Sequence, residues 1–133
     1  MQPQLPSRAR TIAYWASTGL LAFGMLTGGT GQLIGADFNV QGMDHLGYPR
    51  YFLPLIGTWK ILGALVILVP GFLLVKEWAY AGLFFAMTGA VVSHLANGDT
   101  LPQFIASLVF AVLTVLSWYL RPDDRKLTSR LAS

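Results

Sequence analysis

Apolar residues fill this chain in four long blocks that charged residues bracket but hardly enter. No Asp, Glu, Lys or Arg occurs between Arg10 and Asp37, between Glu77 and Asp99, or between Asp99 and Arg121; only Lys60 interrupts the stretch from Arg50 to Lys76. Each block is at least about 20 residues long, enough for a helix to cross a ~30 Å hydrocarbon layer. They predict helices near residues 11–34, 51–74, 78–97 and 101–120. The last two are joined by the turn "NGDTLP", where Pro102 suits a first helical turn. A soluble bundle needs a polar face on each helix, and these blocks lack one. The expected fold class is therefore all-α: one domain over residues 1–133, built as a bundle of four transmembrane helices paired 1–2 and 3–4. A cleaved signal peptide is the weaker reading of the first block, which is too long for a signal core and is followed by no A-x-A site at the right distance.

Composition agrees. Hydrophobic residues make up 54% of the 133, charged residues only 11%, and mean hydropathy is +0.56. Soluble domains carry about 25% charged residues. Cysteine is absent, which excludes disulfides, thiol redox chemistry and Cys-held metal or iron–sulfur centres. Net charge is +3, yet the basic residues sit at the ends of apolar blocks, where they anchor helices, so no nucleic-acid partner is expected. With four alternating helices, Arg8, Arg10, Lys76, Arg121, Arg125, Lys126 and Arg130 share one side and Arg50 alone marks the other. The positive-inside rule then puts both termini in the cytoplasm of a bacterial-type plasma membrane. Tyr14, Trp15, Trp78, Tyr80, Trp118 and Tyr119 would form the inner aromatic belt, Tyr48 and Tyr51 the outer one. The segment from Gly35 to Arg50 becomes an outer loop, and the mixed-charge C-terminal tail is expected at the inner lipid surface.

Inside lipid, helices associate through small residues and cross-helix hydrogen bonds. Gly24, Gly28, Gly31 and Gly35 share a face of the first helix, and Gly82, Ala86, Gly89, Ser93 and Asn97 a stripe of the third. We expect Gly28, Gly31, Gly82 and Gly89 at helix contacts. Lys60 lies among Ile56, Gly57, Gly63 and Ala64, a small-residue face that predicts a lysine turned into the bundle, since a charged lysine facing lipid costs about 2.5–3.5 kcal/mol. Its long stem would lift the ammonium outward to a polar group near the outer helix ends: Gln32, Asp44, His45, His94, Asp99 and Gln103. These are the candidate ligand-binding or polar-network residues. A metal site drawn from His45, His94, Asp44 and Asp99 has the right residue types but no ligand spacing to support it, so no metal is expected, and no catalytic residue can be named.

The stretches "HLGYPRYF", "WKILGALVILVPG", "KEWAYAGLFFAMTGA" and "SHLANGD" together resemble the DoxX-like family of small four-helix membrane proteins, from about His45 to Asp99. The resemblance implies the fold derived above and touches His45, Tyr48, Pro49, Lys60, Gly63, Gly82, Gly89, Ser93, His94 and Asp99. It departs at Ala86, where many relatives carry Asp or Asn at about the depth of Lys60, which leaves that lysine with no acid at its own level, to be lifted towards Asp99, become neutral or meet a ligand. What the resemblance implies for activity is a link to thiosulfate:quinone oxidoreductase or oxidative-stress complexes in some relatives and assembly of other membrane proteins in others. Two functions follow as expectations. The first is a redox-associated module, at most a membrane subunit of an oxidoreductase, that binds a quinone or similar small apolar ligand in the outer half of the bundle. The second is a non-catalytic scaffold or assembly partner; a transporter ranks below both. The lipid bilayer is the expected partner, with a homo-oligomer or a redox partner subunit as the protein contacts the remaining faces could serve.

Overall fold

The computed structural model describes residues 7–127. Arg130, with the rest of residues 128–133, lies outside the described residues. Among these the chain is all-helical, with five α-helices: α1 (Arg8–Leu33), α2 (Asp37–Leu46), α3 (Phe52–Leu68), α4 (Leu73–Ala96) and α5 (Leu101–Leu120), followed by a 3₁₀ turn at Asp123–Arg125. Two of them, α4 and α5, are long and apolar enough to cross a membrane. The 17 residues of α3 are as apolar but shorter, spanning about 25 Å at 1.5 Å per residue.

The expected helix positions need two corrections. Residues 35–50 are not a loop alone: they hold α2, which lies across the outer helix ends with no buried residue of its own. And the second long helix stops at Leu68, with the next starting at Leu73, so Lys76 and Glu77 belong to a helix rather than to a connection. Pro70 is the cause. It disfavours helical backbone at the residue before it, and Val69 is extended at φ −73 and ψ 148. Counting charges alone had carried the helix through this proline. Phe72, at φ 52, then takes a left-handed conformation unusual for a side chain of its size, and its carbonyl accepts the Lys76 backbone N–H at 2.9 Å.

In cross-section α1 packs between α3 and α5, and α4 closes the square against α5 and, more loosely, α3. The core is Leu21, Ala22 and Met25 of α1, Ala64 and Ile67 of α3, Tyr80, Leu83 and Met87 of α4, and Ala111 of α5. The outside is as apolar as the inside: Phe23, Trp59, Phe85 and Val92 are among the many large apolar side chains left exposed. Buried polar groups join helices instead. Thr18 of α1 and Ser117 of α5 share a hydrogen bond at 2.6 Å, and Tyr80 of α4 meets the same Ser117 at 2.8 Å. Tyr14 and Tyr80 are therefore core residues, not members of an aromatic belt.

The close helix contact also falls elsewhere than the glycine spacing suggested. A Cβ added at Gly28, Gly82 or Gly89 would meet nothing within 4 Å, and one at Gly31 would meet Asn39 of α2 rather than a long helix. Backbones touch at Gly29 and Gly57 instead: a Cβ on Gly57 would stand 2.6 Å from the Gly29 carbonyl oxygen, and one on Gly29 2.8 Å from that of Gly57. Lines of small residues on one helix identify faces that can pack but not the partner that approaches.

Candidate functional site

The end of the bundle where α1 begins and α5 ends is organised around the tail of α3. A helix leaves its last carbonyls without intrahelical donors, and the break at Pro70 removes the chain that might have supplied them. Two cations do so. The Lys76 ammonium, 1% exposed, donates to the carbonyls of Val66 and Val69. The Arg125 guanidinium, 8% exposed, donates to Ile67 at 2.9 Å and Leu68 at 3.3 Å. It also lies over the Trp15 ring. Positive charge at a helix C-terminus is favoured by the helix dipole, so these residues are anchors, with their donors turned inward. Beside them Arg121 pairs with Glu77 at 2.9 Å, and Arg10 donates to the Tyr119 carbonyl.

At the opposite end the hub is Asp99. The helix α4 closes with Gly98 at φ 80, where the left-handed backbone suits a residue without Cβ. The Asp99 N–H then returns to the His94 carbonyl at 2.9 Å. This fold-back turns Asp99 onto its own helix end, and its side chain is only 5% exposed. The carboxylate can only accept, so His94 Nδ1 at 2.7 Å and His45 Nε2 at 2.9 Å both donate to it. Asn97 and Gln103 add amide donors at 3.3 Å each. The His94 hydrogen bond holds the Asp99 carboxyl below the usual carboxylate range; His45 and Asn97 act in the same direction, and burial opposes them. Gln103 turns its oxygen back to the Thr100 N–H at 2.6 Å, which fixes the start of α5. Tyr48, just after α2, bonds the Ser93 hydroxyl. The network therefore fastens α2 to the α4–α5 turn, and four protein donors occupy the carboxylate.

Of the expected polar group, the structure brings together His45, His94, Asp99 and Gln103. Asp44 lies apart, 3.6 Å from Arg50 at the exposed surface. Gln32 is buried where α1 meets α3. Lys60 does not reach outward: among the described residues its ammonium makes no hydrogen bond or ion pair with His94, Asp99 or Gln103. It lines a groove of about 490 Å³ between α3 and α4, with Trp59, Gly63, Trp78, Gly82 and Ala86 among the other walls. The groove is open on the outer surface of the bundle, and Trp59 and Trp78 remain 63% and 68% exposed there. Lys60 is the one ionisable group in its lining. Its location follows from the loose α3–α4 seam, which no spacing within a single helix could reveal. The Lys76 and Arg125 anchors were equally unmarked, although a proline ending a helix just before a lysine is a usable signal.

Residues 16–117 of the chain match the model of the DoxX-like family. The chain belongs to the DoxX-like family. Comparison with curated proteins and with solved structures gave no match. Family membership supports a membrane protein, in keeping with the two membrane-capable helices and the apolar exterior. In this DoxX-like chain most of the residues that carry the resemblance fall in two places, Pro49 and Gly89 in neither. His45, Tyr48, Ser93, His94 and Asp99 belong to the outer network, and Lys60, Gly63 and Gly82 to the groove. Ala86 lines the same groove as Lys60.

Proposed function

We propose that α1, α3, α4 and α5 all cross the bilayer with both termini cytoplasmic, and that the bundle binds a quinone or a similar small apolar molecule with a carbonyl head in the α3–α4 groove. The observation that carries the reading is Lys60: a donor-only cation midway along α3 that lines a largely apolar groove and has no hydrogen bond or ion pair among the described residues. At about 490 Å³ the groove is within the usual range for ligand sites, and one polar group on apolar walls suits a molecule with a flat apolar body. An intramembrane ionisable residue is a functional candidate by default. Opening onto the lipid-facing surface, the groove would admit its ligand from the bilayer. The site is not the outer polar cluster, whose acid already has its donors. On this reading the protein is the quinone-holding membrane subunit of an oxidoreductase, and a partner subunit or organic cofactor supplies electrons. The sidedness rests on Arg8, Arg10, Lys76, Arg121, Arg125 and Lys126 against Arg50.

The test is the absorbance spectrum and native mass of protein purified in mild detergent. Wild type should retain a quinone-like molecule; Lys60→Met should keep the fold and lose it. Ala86→Asp should lose it as well, by giving Lys60 an acid within the groove. Reporter fusions after Ser133 and within Gly35–Arg50 should report opposite sides of the membrane. Retention of the same molecule by both groove variants would refute the assignment. A scaffold that only assembles other proteins is the second reading, favoured by the outer network, whose donors and acceptor satisfy one another. It predicts no retained molecule in any of the three proteins.

A further inference from the structure

The polar side chains that line the groove between α3 and α4 share one chemical property. Of its twelve lining residues, nine are Gly, Ala, Val, Leu or Ile and carry no polar side chain. The other three are Trp59, Lys60 and Trp78. An ammonium and an indole N–H can donate a hydrogen bond but accept none. Of the chain's four tryptophans, Trp118 alone has its indole N–H bonded among the described residues, to Glu77. The backbone adds no free acceptor. The lining lies within α3 and α4, whose carbonyls bond along each helix, and near the end of α3 the Val66 carbonyl is taken by Lys76. Trp78, close to the start of α4, stands where an interfacial anchor would. Trp59 does not. It sits beside Lys60 midway along α3 and is 63% exposed, at a depth where hydrocarbon offers its N–H no acceptor.

We propose that the groove is selective for redox state: it takes a quinone and rejects the corresponding quinol. The inference rests on the reading of the groove as a quinone site and adds which form it holds. Donors belong to both walls, Trp59 and Lys60 to α3 and Trp78 to α4, and the two carbonyl oxygens of a para-quinone lie at opposite edges of its ring. Along α4 the lining residues Trp78, Gly82 and Ala86 follow at four-residue intervals, on one face. A Cβ at Gly82 would meet nothing within 4 Å, so this wall leaves room for a flat ring. A quinol differs from its quinone by two electrons and two protons, which turn each carbonyl acceptor into a hydroxyl donor. Its oxygens could still accept, but its hydroxyl protons would find no acceptor in the lining. A donor left unpaired costs more than a hydrogen bond gains, and a site built to bond one pattern of groups rejects the analogue that mismatches it. The groove therefore takes up the oxidised form and does not hold the reduced one.

The experiment uses the full chain in lipid nanodiscs, with duroquinone and its hydroquinone, kept without oxygen, as the probes. Equilibrium dialysis gives each affinity after subtraction of partition into nanodiscs that lack the chain. Wild type should bind duroquinone about tenfold more tightly than the hydroquinone, or more, the cost of one unpaired donor. Tenfold corresponds to a potential lowered by about 30 mV for the bound two-electron couple. Trp59→Phe keeps an aromatic ring and removes one N–H, and should weaken duroquinone about threefold or more. Lys60→Gln brings a carbonyl acceptor to the groove and should move the ratio of the two affinities towards one. Saturable binding of both probes with equal affinity in wild type would overturn the redox selectivity and leave the quinone site standing. No saturable binding of either would overturn both. A preference that Trp59→Phe and Lys60→Gln leave unchanged would have its source outside these donors and would also overturn the proposal. The wild-type comparison stands even if a variant does not fold.

Discussion

Replacing Gly57 by alanine tests the helix packing directly. The new methyl carbon would stand 2.6 Å from the Gly29 carbonyl oxygen and 2.9 Å from both the Gln32 Cβ and the Leu33 nitrogen. Ordinary contact begins at 3.4 Å, so α1 and α3 would have to separate by about 0.8 Å. Two of the three obstructing atoms are backbone, so no rotamer change relieves the clash. Overpacking of this kind costs about 1–3 kcal/mol. The helical preference of alanine over glycine returns only about 0.5–1 kcal/mol. The net expectation is a loss of about 1–2 kcal/mol for Gly57→Ala. The same change at Gly82 or Gly89, where the methyl meets nothing within 4 Å, should be neutral or stabilising. Thermal unfolding in one detergent, followed by circular dichroism, gives the comparison. If Gly57→Ala melts with Gly82→Ala, then α1 and α3 do not cross at these glycines.

Two further expectations concern the bundle's ends. Arg125→Ala removes the donors to the Ile67 and Leu68 carbonyls and the cation over Trp15; at about 1.5–3 kcal/mol for a charged hydrogen bond, unfolding should show a loss of about 3 kcal/mol or more. Arg125→Lys, lacking the planar fork, should recover only part of it, and full recovery would contradict the two-carbonyl role. At the outer end Asp99 is held below its ordinary 3.8, so its contribution is fully present above that value and is lost as pH falls through the lower, folded one. A spin label at Gly42→Cys on α2, in a chain without native cysteine, should keep its restricted spectrum down to pH 3.8 and loosen only in stronger acid. Loosening already at mildly acidic pH, well above 3.8, would refute Asp99 as the group that holds the latch.

How much of this could be read from the sequence depended on the kind of signal. Long charge-free blocks identify helices because burying charge in hydrocarbon is costly whatever the helix touches, and α5 was placed correctly at residues 101–120 by that alone. Helix ends obey local chemistry, and Pro70 shows that a block can be continuous in hydropathy and still hold a break. Grouping His45, His94, Asp99 and Gln103 was legible because polar residues at the ends of apolar helices have few places to go. The direction of a side chain at a seam between two helices was not, since it depends on which neighbour packs closely.

Lys60 shows why that difference matters for function. With no acid at its own depth, an outward reach to Asp99 was the economical expectation, because a lysine and a buried carboxylate on one network would each satisfy the other. The structure removes that solution from the acid's side. Two imidazole N–H groups and two amides meet the Asp99 oxygens, and a carboxylate offers about four lone-pair sites. A fifth donor would have to displace one of those that hold α2 to the α4–α5 turn. Lys60 lines the groove, where Ala86 offers no charge and the other walls are overwhelmingly apolar. On the proposed reading the acceptor for this ammonium comes from outside the chain, and a carbonyl-bearing apolar molecule is the kind that a bilayer can deliver. An acid at residue 86 would close the groove chemically, so the alanine, as much as the lysine, is what keeps the site available.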